Sequence, residues 1–261
     1  MNPAPELFEL SSGALRVVYS SVPWDSAVFG FHVAQIVELE LRGELDAADA
    51  DAAPFEDWCR RTSARLVSCR LPHDCLRETG WLESRGFRFI EMVYRPRLER
   101  LQERADAAGA IVVGRVGADD LPAVERIAET VFTTSRFRLD PHLDPVLSDR
   151  RYRHWARTSL ADPTRQVLKA ELDNALVGFF IVEERADGSA YWHLTAIAPG
   201  HQGRGVGRAV WQAMLERHRR AGLQAVETTV SAHNLPVLSL YGRLGFRFAA
   251  ADITLHRAAF A

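Results

Sequence analysis

An internal repeat is the feature that most constrains how this 261-residue chain can fold. The segments 66–95 and 225–257 share one order: a strand, a His-Asp or His-Asn pair, a helix, a Gly-Phe-Arg-Phe motif and another strand. From the histidine of the pair to the glycine of the motif, the spacing is 13 positions in the first copy and 12 in the second. A repeated unit of this kind predicts two structurally related lobes.

The two copies differ in the residues that could carry chemistry. The first copy has Leu82 where the second has Tyr241, and only the second follows a glycine-rich loop. We therefore expect a degenerate partial copy in the first lobe and the active residues in the second. The stretch 98–109 is charged and rich in alanine, which is typical of a linker. This places the lobes at 1–108 and 109–261.

The second lobe reads as a mixture of strands and helices, which predicts an α+β fold. Both lobes should then have a mixed, mostly antiparallel central sheet flanked by helices. The predicted order is strand 110–116, an amphipathic helix from 121, a three-strand meander over 166–198, helix 203–221, strand 225–231, helix 235–244 and a strand pair over 246–256.

Composition excludes several functional classes. The chain is 47% hydrophobic and 25% charged, and its net charge of -2 provides no overall basic field for nucleic acid or an anionic membrane. Lys169 is the only lysine, so Schiff-base catalysis is not expected. Cys59, Cys69 and Cys75 show no metal-ligand spacing, and we expect no metal site. The first thirty residues contain no long apolar run, which favours a cytoplasmic protein.

The segment Gln202-Gly203-Arg204-Gly205-Val206-Gly207 lies between a predicted strand and a predicted helix. Glycines let a backbone approach a ligand closely, and the N–H groups at a helix start favour an anion such as a pyrophosphate. Arg208 breaks the Rossmann pattern, and no Gly-Lys-Ser/Thr follows as in a P-loop. The segment predicts another type of phosphate site, the alternative being a tight turn without a ligand.

Together, Gln202-x-x-Gly205-x-Gly207, the pair His233-Asn234 and Tyr241-x-x-Leu244-Gly245-Phe246 resemble the acetyl-CoA-binding core of the GCN5-related N-acetyltransferases (GNAT). The resemblance covers about residues 110–257. It implies that the loop holds the pyrophosphate and that a strand edge pairs with the pantetheine arm. The cofactor-binding residues that it implies are Thr195, Ile197, Gln202, Gly203, Arg204, Gly205, Val206, Gly207, Arg208, Asn234 and Tyr241.

The same resemblance implies catalytic roles. Tyr241 would be the general acid that protonates the departing CoA thiolate, because attack by an amine on a thioester expels a sulfur anion. His193, four residues before Ile197, could take the proton of an ammonium substrate directly or through water, and Glu183 is a comparable candidate. The alternatives are a core aromatic for Tyr241, a helix N-cap for Asn234 and a non-titrating polar residue for His193.

A narrower resemblance concerns the acceptor. The segments 132–138, 151–155 and 24–30 are similar to the TDP-fucosamine (TDP-4-amino-4,6-dideoxygalactose) acetyltransferase branch, whose two-lobed members acetylate a nucleotide-linked amino sugar. Guanidinium groups and aromatic rings suit a diphosphate and a base or sugar face. The predicted acceptor residues are Arg136, Phe137, Arg138, Tyr152 and Trp155. The alternatives are a solvated arginine face with aromatic anchors and an amine pocket remodelled by the insert 140–149.

These observations predict an N-acetyltransferase that uses acetyl-CoA and direct attack by a small-molecule amine. The alternative acceptors are an antibiotic, a polyamine, an amino acid or a peptide N-terminus. A different class of protein, a silent acyl-CoA-binding regulatory module, is disfavoured by the intact loop and Tyr241. We expect neither a nucleic-acid nor a membrane partner, and a homodimer is a candidate assembly.

Overall fold

The computed structural model describes residues 5–104 and 109–259, and the chain forms two compact units. The first unit contains the residues up to Val93, the segment Arg136–Leu147 and the residues from Ala250 onward. The second unit contains Tyr94–Ser135 and Ser148–Ala249. This division differs from the single boundary expected near residue 108, because the chain returns twice to the first unit.

The helices and strands are, in chain order, β1 (Leu7–Ser11), β2 (Leu15–Ser21), α1 (Pro23–Phe29), β3 (His32–Leu41), α2 (Leu45–Asp51), α3 (Ala53–Arg61), β4 (Ala64–Pro72), α4 (Leu76–Ser84), β5 (Arg88–Tyr94), β6 (Pro96–Leu98), β7 (Val112–Arg115), α5 (Leu121–Val131), α6 (Arg136–Leu139), α7 (Pro145–Ser159), β8 (Gln166–Leu172), β9 (Ala175–Glu184), β10 (Ser189–Ile197), α8 (Val206–Arg220), β11 (Ala225–Thr228), β12 (Val230–Ser231), α9 (Leu235–Leu244), β13 (Arg247–Phe248) and β14 (Asp252–Ala258).

The first unit is built on a mixed sheet with the strand order β1-β2-β3-β4-β14-β5. Only the pair β3–β4 is parallel, and the other neighbours are antiparallel. Alternate residues of these strands pack against apolar residues of α3 and α4, such as Phe55, Trp58 and Leu82. The burial of these large side chains provides the core of this unit.

The second unit has the sheet order β13-β6-β11-β10-β9-β8-β7, in which only β10–β11 is parallel. One face packs against Trp211 and Met214 of α8 and against α9, and we call this cluster the α8-side core. The other face packs against Val124 and Ile127 of α5 and against α7, and we call this cluster the α5-side core. The predicted α+β fold with mixed, mostly antiparallel sheets is confirmed.

The repeat is also visible in the backbone. After α4 and after α9, Gly86 (φ +83°) and Gly245 (φ +87°) adopt the left-handed conformation that ends a helix. In the first sheet, β14 lies between β4 and β5, the two strands of the first copy. In the second sheet, β6 lies between β11 and β13, which belong to the second copy. The two strands predicted over 246–256 are present as β13 and β14, but they lie in different sheets and do not pair with each other. Ile253 and Leu255 of β14 belong to the core of the first unit instead.

Within residues 5–104 and 109–259, no helix has the length and apolar character needed to cross a membrane. The same part of the chain holds no group of three or more His, Cys, Asp or Glu residues placed to bind a metal ion. The three cysteines are free thiols, and burial raises the pKa of Cys69 to about 12.

Candidate active site

The parallel strands β10 and β11 separate halfway along β10. Their pairing ends at Trp192 and Thr228, whereas β10 continues to Ile197 beside β9 alone. At this last paired position, the hydroxyl of Thr228 donates a hydrogen bond of 2.8 Å to the carbonyl of Trp192. Among the described residues, no strand pairs with the β11-facing edge of 195–197. An open strand edge of this kind can hydrogen-bond an extended ligand.

A β-bulge places His193 next to this separation. Trp192 pairs with Val182 and Leu194 pairs with Ile181, so that β10 has one residue more than β9 at this point. Trp192 belongs to the α8-side core, whereas Leu194 belongs to the α5-side core. The extra residue therefore interrupts the alternation of side chains between the two faces of the sheet. The imidazole of His193 lies on the α5 side.

On that side, His193 and Glu183 form a pair with 2.8 Å between Nε2 and Oε2. The imidazole also contacts the rings of Tyr191 and Trp155, whose centroids lie 4.8 and 6.4 Å away. The two general-base candidates that the sequence suggests are thus brought together. Trp155, a predicted acceptor residue, contacts His193 of this pair.

Burial lowers the pKa of His193, and the hydrogen bond to Glu183 only partly opposes this shift. The His193 side chain is 17% exposed and that of Glu183 35% exposed. The imidazole is therefore neutral at neutral pH. If it donates its Nε2 hydrogen to Glu183, its Nδ1 carries the free lone pair and can accept a proton.

Tyr241 of α9 is 1% exposed, and its hydroxyl lies where β10 and β11 separate. Burial raises the pKa of the phenol, and the nearby polar side chains of Trp211, Thr195 and Thr228 partly oppose this shift. The phenol is therefore protonated at neutral pH, which is the state that a general acid needs. Tyr241 is at once a core residue and a residue with a positioned hydroxyl group.

The glycine-rich segment connects β10 to α8. Gly203 (φ +73°) and Gly205 (φ +79°) lie in the left-handed region, which side chains other than glycine rarely adopt. Gly205 is the N-cap of α8, and within the described chain no side chain caps this helix. Gln202 donates from Nε2 to the carbonyl of Ile197 at 2.9 Å. Gln202 and the next three residues are exposed, so the N–H groups that begin α8 are accessible to an anion.

The remaining predicted cofactor residues surround this helix start. Arg204 and Arg208 are exposed, and Val206 is half-buried. A Cβ atom on Gly207 would lie 3.8 Å from Cγ1 of Ile197, so the first turn of α8 approaches the end of β10 closely. Asn234 accepts a hydrogen bond from the Val237 backbone at 3.4 Å as the N-cap of α9. This cap uses the Asn234 carbonyl oxygen and leaves its amide N–H groups for a ligand.

The other predicted acceptor residues are divided between the two units. Arg136, Phe137 and Arg138 belong to the first unit, whereas Tyr152 and Trp155 belong to the second. Phe137 is buried against Phe29, and Tyr152 is stacked on Phe132 with 4.4 Å between ring centroids. The stacking role predicted for these two rings is corrected, because hydrophobic packing already covers them.

Three arginines of α7, Arg151, Arg153 and Arg157, are engaged within the protein. Arg153 contacts Glu125 at 3.3 Å and Glu129 at 3.6 Å, and Arg157 also binds Glu125. The guanidinium of Arg151 lies over the ring of Trp155, 5.3 Å from its centroid. The alternative of an arginine face with aromatic anchors describes this helix better than a diphosphate site does.

Comparisons with known proteins agree with this geometry. Residues 121–246, from the start of α5 to the turn after α9, match the model of the acetyltransferase (GNAT) family. Most of this matched range belongs to the second unit. It is similar over its whole length to a tandem GNAT protein from the clavulanic acid biosynthesis pathway, with a TM-score of 0.64, 15% identity and 85% of that chain covered. A GNAT protein from Sphaerobacter thermophilus gives a TM-score of 0.65 at 15% identity, over 93% of this chain and 76% of that chain.

Relatives of this chain include proteins with several different names. A mycothiol acetyltransferase of Clavibacter michiganensis is 28% identical over 62% of this chain and 56% of its own length. The spore coat polysaccharide biosynthesis protein SpsD of Bacillus subtilis is 25% identical over 49% of this chain and 44% of its own. An L-2,4-diaminobutyric acid acetyltransferase of Nocardia farcinica is 33% identical over 30% of this chain and 42% of its own. The chain therefore spans about half the length of these relatives.

Proposed function

We propose that the second unit transfers the acetyl group of acetyl-CoA to a primary amine by direct attack on the thioester. The observation that carries this proposal is the position of the His193–Glu183 pair on a bulge of β10, directly beside the open edge of that strand. Tyr241 lies at the same separation of β10 and β11. A proton acceptor, a proton donor and an open strand edge are the groups that this reaction needs.

The residues of this unit fit acetyl-CoA, which supplies the activated acetyl group. The uncapped start of α8 and the glycines before it would hold the pyrophosphate. The edge of β10 at Thr195 and Ile197 would pair with the amide groups of the pantetheine arm, and the free amide of Asn234 would bind the same arm.

Protons then move between named groups. Glu183 orients the imidazole, and His193 takes a proton from the ammonium group of the acceptor, so that a neutral amine attacks the acetyl carbonyl. The new C–N bond forms as the C–S bond breaks, and the former amine nitrogen releases its second proton to solvent. Tyr241 donates its phenolic proton to the leaving sulfur and recovers a proton from solvent.

A matched pair of variants tests the proposal. Glu183 and Glu184 are neighbours on β9, but only Glu183 contacts His193. We expect Glu183→Gln to lower amine-dependent thiol release from acetyl-CoA by about 10²-fold or more, and Glu184→Gln to leave it unchanged. An acceptor panel of nucleotide-linked amino sugars, aminoglycosides, amino acids and peptides supplies the amine. Equal rates in both variants, or no amine-dependent release with any acceptor, would refute it.

For the acceptor, we propose an amino group on a sugar-linked small molecule, including the nucleotide-linked amino sugars. Two relatives support this class by their names, the mycothiol acetyltransferase and the spore coat polysaccharide biosynthesis protein SpsD. The predicted anion contacts Arg136 and Arg138 belong to the first unit.

A second class of acceptor, an amino acid, is favoured by one groove. A groove of about 530 Å³ adjoins Glu183 and is lined by Arg115, Arg165 and Arg185. Arg165 and Arg185 already pair with Asp162 and with glutamates, whereas Arg115 has no partner among the described residues. A carboxylate on the acceptor would bind there. If this class is correct, Arg115→Gln raises the KM for a diamino acid and leaves that for an uncharged amino sugar unchanged.

A further inference from the structure

A buried acid–histidine cluster lies in the first unit, outside the acetyltransferase chemistry. His256 of β14 and Asp140 are each 2% exposed, with 2.8 Å between Nδ1 and Oδ2. His142 donates its backbone N–H to Oδ1 of Asp140 at 3.0 Å, and its Nδ1 lies at the same distance from that oxygen. Both oxygens of the carboxylate are therefore occupied.

The other ring nitrogen of His256 has no partner. Its Nε2 is buried and makes no hydrogen bond within the described chain. Because Nδ1 donates to Asp140, Nε2 carries a lone pair and is an acceptor without a donor. A buried polar atom without a partner is costly, and such atoms are rare in native proteins. The position therefore calls for a hydrogen-bond donor from outside the chain.

A cavity of about 220 Å³ lies beside this histidine. Its polar lining is Arg88, Asp140, His142 and His256, and Ile90 and Ala258 supply apolar surface. Arg88 on β5 is the direct antiparallel neighbour of His256, so the two side chains lie on one face of the sheet. Arg88 is exposed and has no ion-pair partner among the described residues. Its guanidinium group is a ready donor to an anion.

The charges that face His256 also favour an anion. Arg136 of α6 and Arg70 of β4 both act on it, and Arg70 is tied to Glu91 of β5 at 3.0 Å. Burial lowers the pKa of His256 to about 4, against the opposing effect of Asp140, so the imidazole stays neutral at neutral pH. A bound metal cation would face the guanidinium of Arg88, and the described residues include no group of three or more His, Cys, Asp or Glu side chains placed to hold a metal ion.

We propose that this cavity binds a small oxyanion that still carries a hydroxyl group, of which hydrogen phosphate is the simplest. Its charged oxygens accept hydrogen bonds from Arg88, and its P–OH group donates to Nε2 of His256. A fully deprotonated oxyanion of similar size and charge, such as sulfate, has no hydrogen to donate. A sulfate oxygen would place its lone pair against the lone pair of His256 Nε2. The site should therefore bind hydrogen phosphate more tightly than sulfate.

Calorimetry on the full chain in phosphate-free buffer at pH 7.5 tests this. We expect one phosphate site per chain and at least tenfold weaker binding of sulfate. Arg88→Gln should weaken phosphate binding at least tenfold, whereas Arg60→Gln, an exposed arginine on α3 of the same unit, should not. Equal affinity for phosphate and sulfate, no phosphate binding, or an Arg88→Gln variant that binds as the wild type would overturn the proposal.

A phosphate monoester provides a second arm, because its remaining P–OH ionises with a pKa near 6. Methyl phosphate, whose only O–H group is on phosphorus, should bind at pH 5.5 and lose affinity at pH 7.5, whereas equal binding at both values would contradict the need for a donated hydrogen. The affinity for acetyl-CoA, measured on the same variants, should not change with Arg88→Gln. Failure at this cavity is therefore distinguishable from failure of the acetyltransferase proposal.

Discussion

The hydroxyl group of Thr228 holds the carbonyl oxygen of Trp192 at 2.8 Å, at the last position where β10 and β11 pair. The side chain of the same threonine lies near the Tyr241 hydroxyl and lowers its pKa, as does that of Thr195 on the far side of the separation. One side chain therefore links the point where the strands part to the proposed general acid. The opening of the sheet and the position of the phenol are built from the same contacts.

Thr228→Val keeps the shape of the side chain and removes its hydroxyl. The carbonyl of Trp192 then loses its donor in a buried environment, so the variant should unfold more easily by roughly 1–3 kcal/mol. Turnover should also fall, because Tyr241 loses a positioning contact. Chemical denaturation and thiol release measure the two effects. Thr229→Val, whose hydroxyl makes only a 3.4 Å contact with Tyr191, is the control, and equal losses in both variants would contradict this role.

Gly207→Ala separates ligand binding from folding. Gly207 is helical with an ordinary φ, and a Cβ there meets only Ile197 at 3.8 Å, so alanine should raise stability by up to about 1 kcal/mol. The same methyl group would crowd a pyrophosphate at the start of α8, and acetyl-CoA should bind at least tenfold more weakly. Gly200→Ala, in open space before the loop, is the control. An unchanged acetyl-CoA affinity in Gly207→Ala would move the cofactor away from this helix.

Acid should destabilise the second unit through His218. This fully buried histidine accepts a hydrogen bond from the indole of Trp192 at 2.9 Å, and burial lowers its pKa to about 4. Because the unfolded chain binds the proton near pH 6.5, its contribution to stability is complete above that pH. That contribution decreases as the pH falls toward 4, by on the order of 3 kcal/mol. Unfolding free energies of the wild type and His218→Gln should converge over this range, and parallel curves would disprove the role.

Local patterns in the sequence predict much of the fold and part of the site. The glycines at 203 and 205 predict the loop because their backbone conformation is a local property, and the repeat predicts two related units. The exchange of β6 and β14 could not be predicted, because strand order depends on contacts far apart in sequence. The burial of Phe137 depends on such contacts too. Thr228 was missed, because nothing in the sequence sets it apart from its polar neighbours Glu227 and Thr229.

The most direct test of the central claim is turnover of Tyr241→Phe at saturating acetyl-CoA, with the affinity for acetyl-CoA determined on the same preparation. The ring remains in the core, and only the proton donor is removed. We predict unchanged affinity for acetyl-CoA and a turnover lower by roughly 10²-fold to 10⁴-fold, which is the usual contribution of a positioned general acid. Unchanged turnover with a raised KM for the amine would contradict the account, since Tyr241 would then bind the acceptor and the leaving thiolate would take its proton from water.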